Sequence, residues 1–120
     1  MASQADVDRI ALALPDVAHD PDSGTFRTNG RLFAWPWQQR VDPRKRRVPN
    51  PDVLVVRVAD EQDKQALIDL QPAVFFTEPH YDGYAAVLIR LPEIGVELLE
   101  KLIGDAHRLQ TAKKPPRPRR

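Results

Sequence analysis

The chain contains no cysteine. Disulfide bonds, zinc sites built on thiolates and cysteine nucleophiles are therefore excluded. It also has no run of about 18 apolar residues, so no transmembrane helix is predicted. The first residues carry aspartates and no apolar segment of the kind found in secretory signals. We therefore expect a cytoplasmic protein.

Glycine and serine are scarce. None of the five glycines has the spacing of a phosphate-binding loop or a dinucleotide-binding fingerprint. The two serines, Ser3 and Ser23, lie outside the Gly-x-Ser-x-Gly pattern of a hydrolase nucleophile. Because no catalytic constellation is visible, we expect a protein that is not an enzyme.

Histidine and the acidic residues show no metal-binding pattern. No two of His19, His80 and His107 have the i, i+4 spacing that places two ligands on one helix face. The acidic stretch that begins at Asp20 is similar to a calcium loop, but Thr25 and Arg31 occupy the positions that require glycine and glutamate. We predict no metal and no cofactor.

The charged residues are distributed unevenly along the chain. Residues 1–24 carry a net charge of −4, residues 25–52 of +5, residues 53–112 of −5 and residues 113–120 of +5. Two basic segments on an acidic body are typical of a binding surface for a polyanion. Short basic loops and tails that only improve solubility have the same pattern. The candidate nucleic-acid-binding residues in these segments are Arg40, Arg44, Lys45, Arg46, Arg47, Lys113, Lys114 and Arg117.

Hydrophobic periodicity and turn residues predict an α+β domain in which helices pack on an antiparallel sheet, in the order α-β-β-β-α-β-β-α. Residues 1–112 form one domain in this interpretation, and residues 113–120 form a disordered, basic, proline-rich tail. Loops are expected at 19–24 and 38–52. The predicted helices are 3–14, 60–70 and 93–109, and the predicted strands are 25–28, 31–37, 53–58, 73–77 and 84–91.

A β-hairpin around Asn29-Gly30 is the strongest local signal. These two residues favour the positive φ angles of a type I′ turn. Strict alternation would place Phe33, Trp35 and Trp37 on one face of the second strand, opposite to Leu32, Ala34 and Pro36.

His107 is expected in the last turn of the final helix, where a cation complements the helix dipole.

Aromatic side chains supply a second set of candidates. Trp35 and Trp37 alternate on one strand, and His80, Tyr81 and Tyr84 surround an Asp-Gly turn. One interpretation is structural: such aromatic residues pack in the core or at the ends of strands. The other is functional: if no other element covers their face of the sheet, these side chains are exposed and can stack on nucleic-acid bases.

Five segments in their order and spacing resemble the MmcQ/YjbR family: Leu12–Val17, Gly30–Ala34, Phe75–Tyr84, Val87–Leu91 and Asp105–Leu109. The resemblance covers about residues 5–115. It implies a small bacterial cytosolic protein with a "double wing" α+β fold, similar to a domain of a phage transcription factor. Members of the family are often described as DNA-binding for that reason, which is an analogy of fold.

Within this resemblance, residues 25–37 and the strands around 73–91 correspond to the two wings. The chain departs from the family by adding the basic run Arg44–Arg47 and the basic tail. Together with the two basic segments, the resemblance implies a cytoplasmic, monomeric DNA-binding module that contacts mainly phosphates, with little sequence specificity. The alternative is a protein-interaction or small-ligand-binding module with no nucleic-acid role.

Overall fold

The computed structural model of the chain describes residues 1–39 and 46–112, apart from the side chain of Gln39. It has an α+β fold in which helices pack on a six-stranded antiparallel sheet, which confirms the predicted fold class. The predictions for Arg40, Arg44, Lys45, Lys113, Lys114 and Arg117, and for the tail, lie outside the described residues.

The helices and strands follow the predicted order with one additional strand. The helices are α1 (Gln4–Leu12), α2 (Glu61–Leu70) and α3 (Val96–Ala112), with short 3₁₀-helices at Pro79–Tyr81 and Leu91–Glu93. The strands are β1 (Val17–Asp20), β2 (Thr25–Thr28), β3 (Arg31–Gln39), β4 (Val48–Arg57), β5 (Phe75–Phe76) and β6 (Ala86–Arg90). Their order in the sheet is β1-β2-β3-β4-β6-β5, so β6 inserts between β4 and β5.

Local signals account for the start of α1. The Ser3 backbone N–H donates to the Asp6 carboxylate at 2.9 Å, which is half of the expected capping box. Val7, Ile10 and Ala11 are buried along one face of the helix. The apolar spacing of the sequence therefore matches the face that packs on the core.

Strand β1 corrects the predicted order, since the structure is α-β-β-β-β-α-β-β-α. His19 and Asp20 were expected in a loop, but they pair with Phe26 and Thr25 of β2. The His19 ring stacks on Phe26 with 4.3 Å between ring centroids. The turn residues 21–24 do form the turn, and the strand before them was missed because its stability comes from pairing with β2 rather than from its own sequence.

The segment 38–52 was predicted as a loop, but β3 extends to Gln39 and β4 begins at Val48. Pro49 pairs with Gln38, although proline cannot donate a ladder hydrogen bond. The start of β4 pairs with β3 alone, because β6 joins β4 only from Val53 onward. Proline is tolerated at such an edge, so the β3–β4 hairpin continues beyond the rest of the sheet.

A β-bulge in β3 corrects the expected alternation. Phe26 pairs with Ala34 and Arg27 pairs with Leu32, so Phe33 is the extra residue. Phe33 and Ala34 both join the core beneath the helices, whereas Trp35 lies in a separate cluster on the opposite face. The predicted turn at Asn29-Gly30 is confirmed by φ angles of 56° and 72°.

His107 also differs from its expected position. Helix α3 continues to Ala112, so His107 lies inside the helix rather than in its last turn. It is buried, its Nε2–H donates to the Pro15 carbonyl at 2.7 Å, and its ring meets Phe33 edge-on. Its role is to join α3 to the chain after α1 and to β3.

In the described part of the chain, no helix has the length and apolar character needed to cross a membrane.

Candidate nucleic-acid interface

One face of the sheet carries the large core, and the other is the candidate interface. Helices α1 and α3 contribute to the core on the first face. On the second face, which we call the open face, the cluster includes no helical residue from the described ranges 1–39 and 46–112 except Tyr81. Its buried members are Trp35, Val53, Val55, Ala86 and Leu88, and Leu32, Trp37, Phe76 and Tyr81 pack around them.

Strand alternation places Arg57 and Arg90 on the open face, in addition to Arg27, which pairs with open-face Leu32. In the antiparallel ladder, Arg90 pairs with Val53 and Arg57 pairs with Ala86. Residues directly opposite each other in such a ladder share a face. Val53 and Ala86 belong to the open-face cluster, so Arg57 and Arg90 lie on the open face as well.

Trp35, His80, Tyr81 and Tyr84 form one continuous aromatic group. The Trp35 indole N–H donates to the Tyr81 hydroxyl at 3.1 Å. The Tyr81 ring lies 5.2 Å from His80 and 6.0 Å from Tyr84. Trp35 is only 8% exposed and is a supporting residue, whereas Tyr84 is 45% exposed and His80 is also exposed.

Trp37 belongs to a second aromatic group that the sequence analysis did not identify. Its ring meets Phe76 edge-on at 5.9 Å, and the Arg90 guanidinium lies over Phe76 at 4.1 Å from the ring centroid. The Arg57 guanidinium lies over Tyr84 in the same way at 4.6 Å. Each arginine is therefore held against an aromatic ring, a geometry that cation–π attraction stabilises.

Buried Lys64 fixes the loop that carries His80, Tyr81 and Tyr84. Its ammonium donates to the backbone carbonyl of Tyr81 at 2.6 Å and to that of Tyr84 at 3.1 Å. The Glu61 carboxylate is 3.7 Å away. A buried charge requires such partners. The Lys64 side chain therefore joins α2 to the loop at residues 77–85, which we call the aromatic loop.

Charge is separated between the two layers of the fold. Helices α1 to α3 carry eight acidic and four basic residues, whereas the strands carry four arginines and two aspartates. The loop at residues 77–85 adds Glu78 and Asp82 beside the open face, and exposed Arg46 and Arg47 precede β4. The sheet layer is thus the more basic of the two.

The two predicted basic segments attach at opposite ends of β3. Arg47 donates to the Gln38 carbonyl at 3.0 Å, at the β3–β4 end. The end of α3 lies at the other end of β3, because the Gln110 amide donates to the Leu32 carbonyl at 2.6 Å and Asn29 donates to the Gln110 carbonyl. The structure therefore brings Arg47 to the end of β3 that carries Trp37, and the end of α3, which precedes the tail, to the opposite end of that strand.

Acidic groups show two pKa shifts and no metal-binding arrangement. A hydrogen bond from the Asp22 backbone N–H lowers the pKa of Asp20, with help from Ser23. Burial raises the pKa of Asp105, but Lys101 and Arg108 outweigh it, so that its pKa lies below the ordinary value. No group of three or more histidine, aspartate or glutamate side chains in residues 1–39 and 46–112 is arranged to hold a metal ion.

The site residues that sequence reasoning missed are Arg57, Arg90, Phe76 and Lys64. Side chains two residues apart in a strand point to the same face. Arg57 therefore shares a face with Val53 and Val55, and Arg90 shares a face with Ala86 and Leu88, so the alternation in the sequence could have identified both arginines. Phe76 and Lys64 gave no comparable signal. Their positions depend on β5 pairing with β6 and on α2 packing beside the loop.

A comparison with known protein families matches residues 12–109 to the YjbR family model. The chain belongs to the YjbR family. Relatives in Mycobacterium bovis and in two strains of Mycobacterium tuberculosis are each 42% identical over 119 residues, which cover 94% of this chain and 92% of each relative. All three are named only as uncharacterized proteins. No solved structure matches the chain.

Proposed function

We propose that this YjbR-family protein is a nucleic-acid-binding module whose interface is the open face together with the β3–β4 hairpin. The observation that carries the proposal is the placement of Arg57 and Arg90 against aromatic rings, on a sheet face that neither α1, α2 nor α3 covers. Guanidinium groups bind phosphates, and aromatic faces accept bases. The proposed protein is a cytoplasmic monomer without catalytic activity.

The acidic helical layer argues for weak sequence specificity. A recognition helix reads base edges with arginine, asparagine or glutamine side chains. Helices α2 and α3 expose Gln62, Gln65 and Arg108, but six acidic residues against three basic ones give the two helices a net negative charge, which phosphates repel. Contacts would therefore come mainly from arginines to phosphates, which position a ligand without reading its sequence.

Salt-dependent binding tests the proposal. The variant Arg57→Gln/Arg90→Gln removes the two open-face arginines that lie over aromatic rings, and Arg9→Gln/Arg108→Gln removes the same charge from exposed positions on the helical layer. If Arg57 and Arg90 each meet one phosphate, the log–log salt slope shrinks by about 1.4 to 1.8 units, depending on whether the ligand is single- or double-stranded.

The control variant should keep the slope of the unmodified protein. Equal effects of the two double variants would show that only net charge matters and would contradict the assigned surface. Absence of binding to DNA and RNA at low salt would reject the function.

A groove between α2 and α3 favours a second candidate function, a small-ligand-binding module. The groove has a volume of about 590 Å³, which is in the range of sites for small organic molecules. Its apolar lining includes Ala66, Leu67, Leu70, Leu102 and Leu109. Under this alternative, Ala66→Trp would fill the groove and abolish the thermal stabilisation that a bound apolar ligand gives to the unmodified protein. Arg57 lines this groove as well, so the separating variant is Tyr84→Ala, which lies outside the groove and should leave that stabilisation unchanged.

A further inference from the structure

Two aromatic groups with stacked arginines lie along one line of the open face. Phe76 pairs with Leu88, and Arg57 pairs with Ala86 of the same strand. Arg57 and Arg90 are four residues apart along the ladder, a distance of about 13 Å. Trp37 and Phe76 lie at the Arg90 end, and Tyr81 and Tyr84 lie at the Arg57 end. Guanidinium groups and aromatic rings therefore lie next to each other at both ends of this stretch of about 13 Å, a length that several nucleotides can span.

Three buried polar atoms without hydrogen-bond partners among the described residues belong to Trp37, which contacts Phe76, and to the two residues that follow Phe76 in the chain. The Trp37 indole N–H, the Thr77 hydroxyl and one Glu78 carboxylate oxygen are buried without a hydrogen-bond partner in residues 1–39 and 46–112. Trp37 touches Phe76, and Thr77 and Glu78 directly follow it in the chain. Buried polar groups without partners cost free energy. The edge of a base that enters beside Phe76 carries both donors and acceptors and can supply these partners.

A duplex cannot use this surface fully. In double-stranded DNA, the base faces stack on one another and only their edges are open in the grooves. A duplex could meet exposed Arg46 and Arg47 through its phosphates, but it would leave Trp37, Phe76 and Tyr84 with no base face to contact. Unpaired bases, by contrast, stack on aromatic side chains without regard to sequence.

We infer that the preferred ligand of the open face is single-stranded nucleic acid, with unpaired bases stacked on Tyr84 and in the Trp37–Phe76 group. This inference rests on the nucleic-acid-binding function proposed above and deepens it. Arg57 and the other guanidinium N–H groups of Arg90, whose Nη1 donates to the Pro72 and Ala73 carbonyls, contact the phosphates between the bases. The loop anchored by Lys64 holds Tyr81 and Tyr84 in place before the ligand arrives.

Tryptophan fluorescence tests stacking directly, because Trp35 and Trp37 are the only tryptophans. Titration with a twelve-nucleotide single strand at low salt should quench the fluorescence of the unmodified protein. In Trp37→Phe, where only the buried Trp35 remains, most of the quenching should disappear. The same oligonucleotide annealed to its complement should bind at least about tenfold more weakly and quench little.

Tyr84 supplies a matched pair of variants. Tyr84→Ala should weaken binding to the single strand by about tenfold, within the range measured for one stacked base, whereas Tyr84→Phe keeps the ring and should bind as the unmodified protein does. Because Tyr84 is 45% exposed, both variants should fold, which circular dichroism can check.

The outcomes separate the inference from the function. Equal or tighter binding to the duplex, or single-strand binding that neither quenches Trp37 nor depends on the Tyr84 ring, would overturn the inference and leave the nucleic-acid-binding function standing. No binding to either oligonucleotide would overturn both.

Discussion

Lys64 is buried, yet it determines the position of the loop that presents Tyr81 and Tyr84 at the open face. Its ammonium is held by the carbonyls of Tyr81 and Tyr84. The hydrogen bond from Trp35 to the Tyr81 hydroxyl holds the same loop from the sheet side. The aromatic loop is therefore fixed at two points before any ligand binds, which reduces the entropy cost of binding.

Replacing Lys64 by methionine should destabilise the protein, because it removes both hydrogen bonds from the ammonium that join α2 to the loop of Tyr81 and Tyr84. A hydrogen bond from a charged group contributes about 1.5–3 kcal/mol, and urea denaturation measures this loss. Gln62→Met is the control, since Gln62 is exposed on the same helix. A Lys64→Met variant as stable as the unmodified protein would show that the buried ammonium adds nothing to stability beyond the backbone hydrogen bonds that both carbonyls already accept.

Asp105 gives a pH-dependent prediction. Although burial raises its pKa, Lys101 and Arg108 bring the pKa below the ordinary value of 3.8. The carboxylate is more favourable in the folded state, so its stabilising contribution is complete above pH 3.8 and is lost as the pH falls through the lower folded-state pKa. Asp105→Asn should therefore lose less stability between about pH 5 and about pH 2.5 than the unmodified protein.

Melting temperatures measured across that pH range check the expectation for Asp105. Glu97→Gln, which removes an exposed carboxylate from the same helix, should follow the curve of the unmodified protein. Parallel curves for Asp105→Asn and the unmodified protein would contradict the assigned ion pairs.

At the scale of elements, the hairpins of the sheet determine which side chains share a face. The bulge at Phe33 moves one aromatic ring to the helix side and keeps Trp35 and Trp37 on the open face. The tight turn at Asn29-Gly30 sets the register of this hairpin, and the end of α3 packs against it through Asn29.

Gly30→Ala should destabilise the hairpin by about 1–2 kcal/mol, because Gly30 has a φ of +72° that a residue with a Cβ adopts at a cost. Steric conflict adds nothing, since no atom of the described residues lies within 4 Å of the place where the alanine methyl group would sit. Gly95→Ala, where the space is equally open and φ is not positive, is the matched control. Chemical denaturation of both variants measures the difference, and equal stabilities would refute the backbone argument.

At the scale of the whole molecule, the fold places opposite charges on opposite layers. The net charge of +1 hides this, because residues 40–45 and 113–120 together contribute +7 and offset the net charge of −6 of residues 1–39 and 46–112. A ligand with a negative backbone is attracted to one layer and repelled by the other, so it meets the protein in a restricted orientation.

Removal of residues 113–120 should leave the folded domain intact. These residues include no large apolar side chain, so the free energy of unfolding should change by less than about 0.5 kcal/mol, as for surface changes. Thermal unfolding measures this, and a fall of many degrees would show that the segment stabilises the domain. Single-strand binding should retain its dependence on Tyr84, because the open face is unchanged.

Features whose causes lie within a few residues could be predicted from the sequence. The cap at Ser3, the turn at Asn29-Gly30, the apolar face of α1 and the alternation in β4 and β6 follow from local sterics and hydrogen bonding. These were sufficient for the α+β class and for most of the aromatic candidates, since Trp37 and Tyr84 could be named from spacing alone.

Which candidates share a surface depends on contacts between distant parts of the chain. The pairing of β1 with β2, the bulge at Phe33, the approach of Phe76 to Trp37 and the burial of Lys64 each join residues far apart in the sequence. The stability of each of these contacts depends on which helices and strands pack together. Hydrophobic periodicity within one segment does not show with which other segment it packs. Which face of the sheet the helices cover is set in the same way, by the burial of apolar area between distant segments.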